Sequence, residues 1–194
     1  MPEQFSLFDL EPTVEAPLEP APQPIQQREP ATDVQQYEVA VDGSAVGSNP
    51  GFAGWGWYLG PDCWAAGSPE GGVDTNNRME LMALLRFLRA TAHRPDDRVT
   101  IFLDSQYALQ CTTTWCRGWA RNGWKTKDRQ DVKNVDLIKP VVELLATRSA
   151  TELVWTKAHV GHVLNEGADT AARGAAEATK VGSPVPTGPG WTRD

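Results

Sequence analysis

Two short apolar runs in this chain each end on a carboxylate, and that pairing limits the fold more than any other feature. Val39-Ala40-Val41 leads into Asp42, and Ile101-Phe102-Leu103 leads into Asp104. An acid at the end of a hydrophobic strand is costly to bury unless something cationic compensates it. Two further acids sit in suggestive places. Glu80 stands at the start of a strongly amphipathic segment, and Asp169 lies early in an Ala-rich one. Converging acids of this kind imply a divalent metal site.

The pattern between residues 36 and 180 alternates strand and helix signals. A first strand is expected at 36–45, then a hairpin of Trp55–Leu59 and Cys63–Ala66 across Gly60-Pro61-Asp62. Met79, Leu81, Met82, Leu84, Leu85, Phe87 and Leu88 recur with helical spacing over 77–93, with Asn76 or Asn77 as the cap. A strand at 98–103 follows, then helices near 105–111, 115–122 and 135–147, a strand at 151–156 and a helix at 164–179. Early strands followed by helix-separated strands make an α/β fold, a five-stranded mixed sheet flanked by helices.

Residues 9–36 hold six prolines, many acids and few large apolar side chains, so a disordered tail is expected over 1–36. The domain proper is expected over 37–180, with a flexible tail at 181–194. The formal net charge of −7 is uneven: residues 1–36 carry seven acids and one base. Nucleic-acid binding is therefore judged from local patches rather than from the total. Cys63, Cys111 and Cys116 form no zinc-like pair, and their odd number argues against a disulfide framework. No run is apolar enough to span a bilayer and Met-Pro-Glu-Gln lacks secretory design, so a cytoplasmic protein is expected.

Four segments taken together carry a resemblance. Val41-Asp42-Gly43-Ser44, Thr75-Asn76-Asn77-Arg78-Met79-Glu80, Leu103-Asp104-Ser105-Gln106-Tyr107 and Lys157-Ala158-His159 through Asn165-Glu166-Gly167-Ala168-Asp169 resemble type 1 ribonuclease H, in order and spacing. The likeness extends through Gly123-Trp124-Lys125-Thr126 and Val132–Leu137, covering about residues 37–180. It implies a ribonuclease H-like fold and a magnesium-dependent endoribonuclease that cuts the RNA strand of RNA–DNA hybrids, with manganese as a substitute ion. By this resemblance Asp42 bridges two Mg2+ ions, Asp104 shares the nucleophile-side ion, Glu80 serves the leaving-group side, and Asp169 helps the nucleophile-side ion assemble. Taken singly the acids have blander readings: Asp104 could cap the next helix, and Glu80 and Asp169 could be solvated. Asp74, Asp136 and Glu166 match no ligand position and read as surface acids. His159 is implied as a proton-transfer group in a loop, and His162 and His93 as structural or exposed.

The same resemblance assigns Asn49, Asn77 and Gln106 to the RNA strand, where amides both donate to and accept from 2′-hydroxyls. Thr75, Arg78, Trp115 and Trp119 are assigned to the DNA strand. The two tryptophans stand four apart and share a helix face, for which core packing is the alternative use. Residues 112–135 carry six basic and two acidic side chains, a local net of +4. Arg117, Arg121, Lys125 and Lys127 would form a thin phosphate-contacting handle, giving modest affinity and a gentle salt dependence.

Gln4-Phe5-Ser6-Leu7-Phe8 resembles the pentapeptide that docks on bacterial sliding clamps, with Gln4, Leu7 and Phe8 as the contacts; a featureless tail is the alternative. A monomer suffices for all of this. Two other functions stay open on the same residues: a non-catalytic hybrid-binding module, and another metal nuclease of the same fold.

Overall fold

In the computed structural model, residues 34–157 and 161–193 are described. Gln4, Leu7, Phe8 and His159 lie outside those residues.

The run Val39-Ala40-Val41-Asp42 is buried throughout, the signature of a strand covered on both faces. It forms the middle of β1 (Gln36–Val46). β2 (Gly51–Gly60) and β3 (Cys63–Gly67) follow as an antiparallel hairpin, and β4 (Val73–Asp74) adds a short pairing to β2. β5 (Arg98–Leu103) and β6 (Thr151–Trp155) run parallel to β1, giving the order β3-β2-β1-β5-β6. The mixed sheet expected from the sequence is present, with β4 as an added minor strand.

Helices cover both faces. α1 (Asn76–Ala90) buries Met79, Leu81, Leu84, Leu85, Phe87 and Leu88, and the Phe87 ring meets Trp57 edge-on. The expected Asn cap is replaced by Thr75, because Asn76 lies inside the helix and its Oδ1 accepts the Ala45 N–H at 3.1 Å. α1 also stops before residue 93, where the buried Arg148 guanidinium takes the Thr91 carbonyl and, at 2.8 Å, its hydroxyl. α2 (Gln106–Gln110) and α3 (Cys116–Arg121) are joined by a π-helical stretch, Cys111–Trp115, so the two expected helices are one continuous segment. α4 (Val135–Ala146) packs beside α1, while α5 (Val163–Val181) crosses β1 and β2.

α5 approaches the sheet closely because both surfaces are small. Ala168, Ala172, Ala175 and Ala176 are fully buried, and a Cβ added at Gly54 would stand 2.3 Å from the Ala172 carbonyl oxygen. Among the described residues, no helix is long and apolar enough to cross a membrane.

The expected flexible C-terminal tail is a docked strap. Its prolines and glycines cannot build an element of their own, but Thr187 O accepts the Ala66 N–H and the Gly190 N–H donates to Trp64 O. Trp191 then packs against Tyr37 and Phe87, at centroid distances of 5.1 and 6.5 Å. Apolar contact of one ring outweighs the strap's unfavourable composition. Trp191→Ala is expected to destabilise the fold by about 2–4 kcal/mol, read as a lowered urea midpoint with little change in slope.

Candidate active site

Asp42 and Asp104 come together through strand register. β1 and β5 are parallel neighbours, with Ala40 paired to Phe102, so the acids two residues on reach the same level. Glu80 arrives from the first turns of α1. Its approach depends on Gly43, where a Cβ would lie 2.2 Å from the Glu80 backbone nitrogen. Carboxylate oxygens of Asp42, Glu80 and Asp104 thereby fall within 4.8 Å of one another.

Asp42 and Glu80 are 6% and 4% exposed, and Asp104 is half-buried. The Gly43 N–H donates to Asp42 Oδ1 at 2.7 Å, and Asn76 Nδ2 donates to Glu80 Oε1 at 3.4 Å. Glu80 Oε2 is buried without a hydrogen-bond partner. Burial, and then the neighbouring Asp104, push the Asp42 carboxyl up to about 8, against the pull of the Gly43 N–H. Burial, then Asp42 and Asp104, push Glu80 well above the carboxylate range. Hard oxygen donors, mutual repulsion and an orphaned carboxylate oxygen fit a hard divalent cation, which would take the first as ligands and relieve the other two.

Asp169 lies outside this tight triad. It is half-buried on α5 and lines the same cleft of about 450 Å³, with Ser44, Asn76, Ser105 and Arg173. Arg173 and Asn76 escaped the sequence reading. Arg173 follows Asp169 by one helical turn, a spacing that places both on one face and could have flagged it. The sequence offers Asn76 only as a cap; its side chain instead ties α1 to β1, while Asn49 Oδ1 accepts its N–H at 3.1 Å.

The other sequence-predicted residues divide into two groups. Asn49, Asn77 and Gln106 are exposed beside the cleft's helices, and Thr75 presents a buried, unpartnered hydroxyl. Trp115 is 45% exposed and meets Trp119 edge-on at 5.8 Å, so they do share a face, backed by Tyr107. Arg117, Arg121 and Lys127 are exposed. Two cations are already engaged. Lys125 binds Asp131 at 2.5 Å, which closes the handle loop and removes one charge from it. Arg78 is clamped between Asp74 at 3.0 Å and a bidentate pair with Asp136 at 2.9 and 2.6 Å, which holds the Asp136 carboxyl below its usual range. Asp74 and Asp136 are thus partners of Arg78 rather than idle surface acids. His162 is structural: it caps α5 by accepting the Asn165 N–H and packs on Phe102 at 4.4 Å.

The RNase H family model matches residues 34–177. The "Ribonuclease H" of Nitratidesulfovibrio vulgaris is 42% identical over 163 residues, covering 82% of this chain and 99% of that protein. That of Tropheryma whipplei is 38% identical over 153 residues, covering 79% and 92%. Among solved structures, that of LC9-RNase H1, titled a type 1 RNase H with the type 2 active-site motif, is similar with a TM-score of 0.63 and 27% identity, over 84% of this chain and 80% of that one.

The raised carboxyls tie the site to stability. In the unfolded chain Asp42 releases its proton near pH 4, whereas in the fold it does so near 8. The native state therefore binds more protons across that interval, and metal-free stability falls as pH rises through it. Asp42→Asn removes the burden, so in EDTA at pH 8 the variant should melt roughly 3–8 °C above the wild type. The gap should close near pH 4; calorimetry across pH measures both.

Proposed function

The chain belongs to the ribonuclease H family and is an enzyme of that kind, and on that premise we propose that it hydrolyses the RNA strand of RNA–DNA hybrids at the Asp42 cleft. The observation that carries this reading is the convergence of Asp42, Glu80 and Asp104 within 4.8 Å. The three would hold divalent magnesium, or manganese in its place, with Asp169 completing the set from α5. A pair of such ions, when bound, supplies a water of lowered pKa and stabilises the departing 3′ oxygen, leaving 5′-phosphate and 3′-hydroxyl ends.

The protein's own groups orient the duplex. Exposed amides of Asn49, Asn77 and Gln106 donate to and accept from 2′-hydroxyls on the RNA strand. Glu80 accepts from the 2′-hydroxyl of the scissile nucleotide. On the DNA strand, Trp115 and Trp119 offer ring surface where a 2′-hydroxyl would clash, and Thr75 meets the same strand from the start of α1. Arg78, neutralised by two acids, braces this surface rather than contacting phosphate itself. Arg117, Arg121 and Lys127 contact backbone phosphates beyond it. His159 moves a proton during product release. The protein acts as a monomer in the cytoplasm, and residues 4–8 dock on a sliding clamp, raising its local concentration at replication sites.

Incubation of a labelled hybrid beside matched DNA and RNA duplexes tests the catalytic reading. The wild type should cut only the hybrid, and only with added Mg2+ or Mn2+. Asp42→Asn should lose at least about a thousandfold in rate, the scale of metal-ion stabilisation at a phosphoryl centre. Cleavage of all three duplexes would refute it. The clamp assignment is checked by fluorescence anisotropy of a peptide of residues 1–12 against purified clamp. Saturable binding that is lost on Leu7→Ala with Phe8→Ala is expected.

A further inference from the structure

We propose that Trp155 is a positioning residue for the metal centre, its indole N–H holding the Asp104 main chain where the Asp104 carboxylate meets those of Asp42 and Glu80. The inference rests on reading those acids as the cation site. Asp42 lies inside β1, paired to Gly56 of β2, and Glu80 lies inside α1. Asp104 is placed differently. It is the first residue past β5, beyond the last registered pair of the β5–β6 ladder, Leu103 with Trp155.

Two hydrogen bonds carry the join of β5 and β6 past that pair. The Thr156 N–H donates to Leu103 O at 3.0 Å, and Trp155 Nε1 donates to Asp104 O at 3.1 Å. A side chain therefore continues what the ladder began. On the far side of the same peptide, Ser105 caps α2, its Oγ accepting the Ala108 N–H at 3.2 Å. With the carbonyl held by the indole and the next residue held by its helix, the Asp104 Cα–Cβ direction is fixed. Rotation of that peptide would swing the carboxylate away from its partners.

Trp155 is 43% exposed, so burial of its ring is not its main contribution. An exposed carbonyl that loses the indole can bond water, and the fold loses little. The ligand set loses its preorganisation, which is the way outer contacts set metal affinity.

The test uses the full chain and Trp155→Phe, which keeps an aromatic ring and removes the donor. Mg2+ and Mn2+ binding is measured by calorimetry and by metal-dependent thermal shift. The expected result is metal affinity weakened at least about 10-fold, with the melting temperature in EDTA nearly unchanged. Equal affinities in variant and wild type overturn the inference and leave the metal site standing. If the wild type itself gives no saturable response, the metal reading fails and the inference with it. A second measurement needs no variant. In 15N-labelled wild type, the Trp155 indole resonance, assigned through its own backbone, should move along the same binding isotherm as the metal is added. A resonance that stays still overturns the inference even if Trp155→Phe unfolds.

Discussion

Burial of acids away from water, compounded by their closeness to one another, is the constraint around which the molecule is arranged. Asp42, Glu80 and Asp104 are forced together by features that cannot relax independently: a parallel strand pair, and a helix seated on a glycine. The Gly43 and Asn76 hydrogen bonds offset only part of that cost. The apolar core must hold the arrangement, and the core is placed to do so. Val39 and Val41 precede Asp42 on its own strand, while Leu81, Leu84 and Leu85 follow Glu80 on its helix. Stability is sacrificed locally for a cation-binding geometry, a common trade at functional sites.

The two faces of the sheet serve this centre in different ways. On the α1 face, large side chains interlock, and Trp57, Phe87 and Trp191 form a chain of ring contacts. On the α5 face, alanines lie against glycines, so the helix backbone comes close enough for Asp169 and Arg173 to reach the cleft. A larger residue at Gly54 would lift the whole helix. The outlying Trp115–Trp119 surface is tied back to α1 by a relay: the Tyr107 hydroxyl accepts from Asn134 at 2.9 Å, and Arg78 of α1 donates to Asn134 and to Asp136. The tryptophan surface and the acidic cleft thus share one polar brace.

What could be read from the sequence was whatever depended on short-range pattern. Apolar runs ending on Asp42 and Asp104 announced two strands and two acids of the candidate site, and the leucine spacing announced α1. Which acids meet in space came from resemblance, since register between β1 and β5 is a long-range property. The illegible parts have specific causes. Thr75, Asn76 and Asn77 are all cap-capable, and the choice was decided by an N–H on another strand, that of Ala45. Lys125 looked like a free cation until the loop turned it onto Asp131. Proline and glycine density concealed the strap, because its attachment comes from one ring at Trp191 and a few backbone bonds. The π-helical stretch between α2 and α3 leaves no compositional mark.

The strap has a further consequence for how molecules of this protein meet each other. A terminal strand exposes a row of unsatisfied amides and carbonyls, which invites another chain to zip alongside. On β3 that row is shielded by residues 187–190, through Ala66 with Thr187 and Trp64 with Gly190. The opposite border, β6, is five residues long and carries the exposed Glu152. One border is sheathed and the other is brief and charged, so neither offers a second chain a long unpaired edge to zip against.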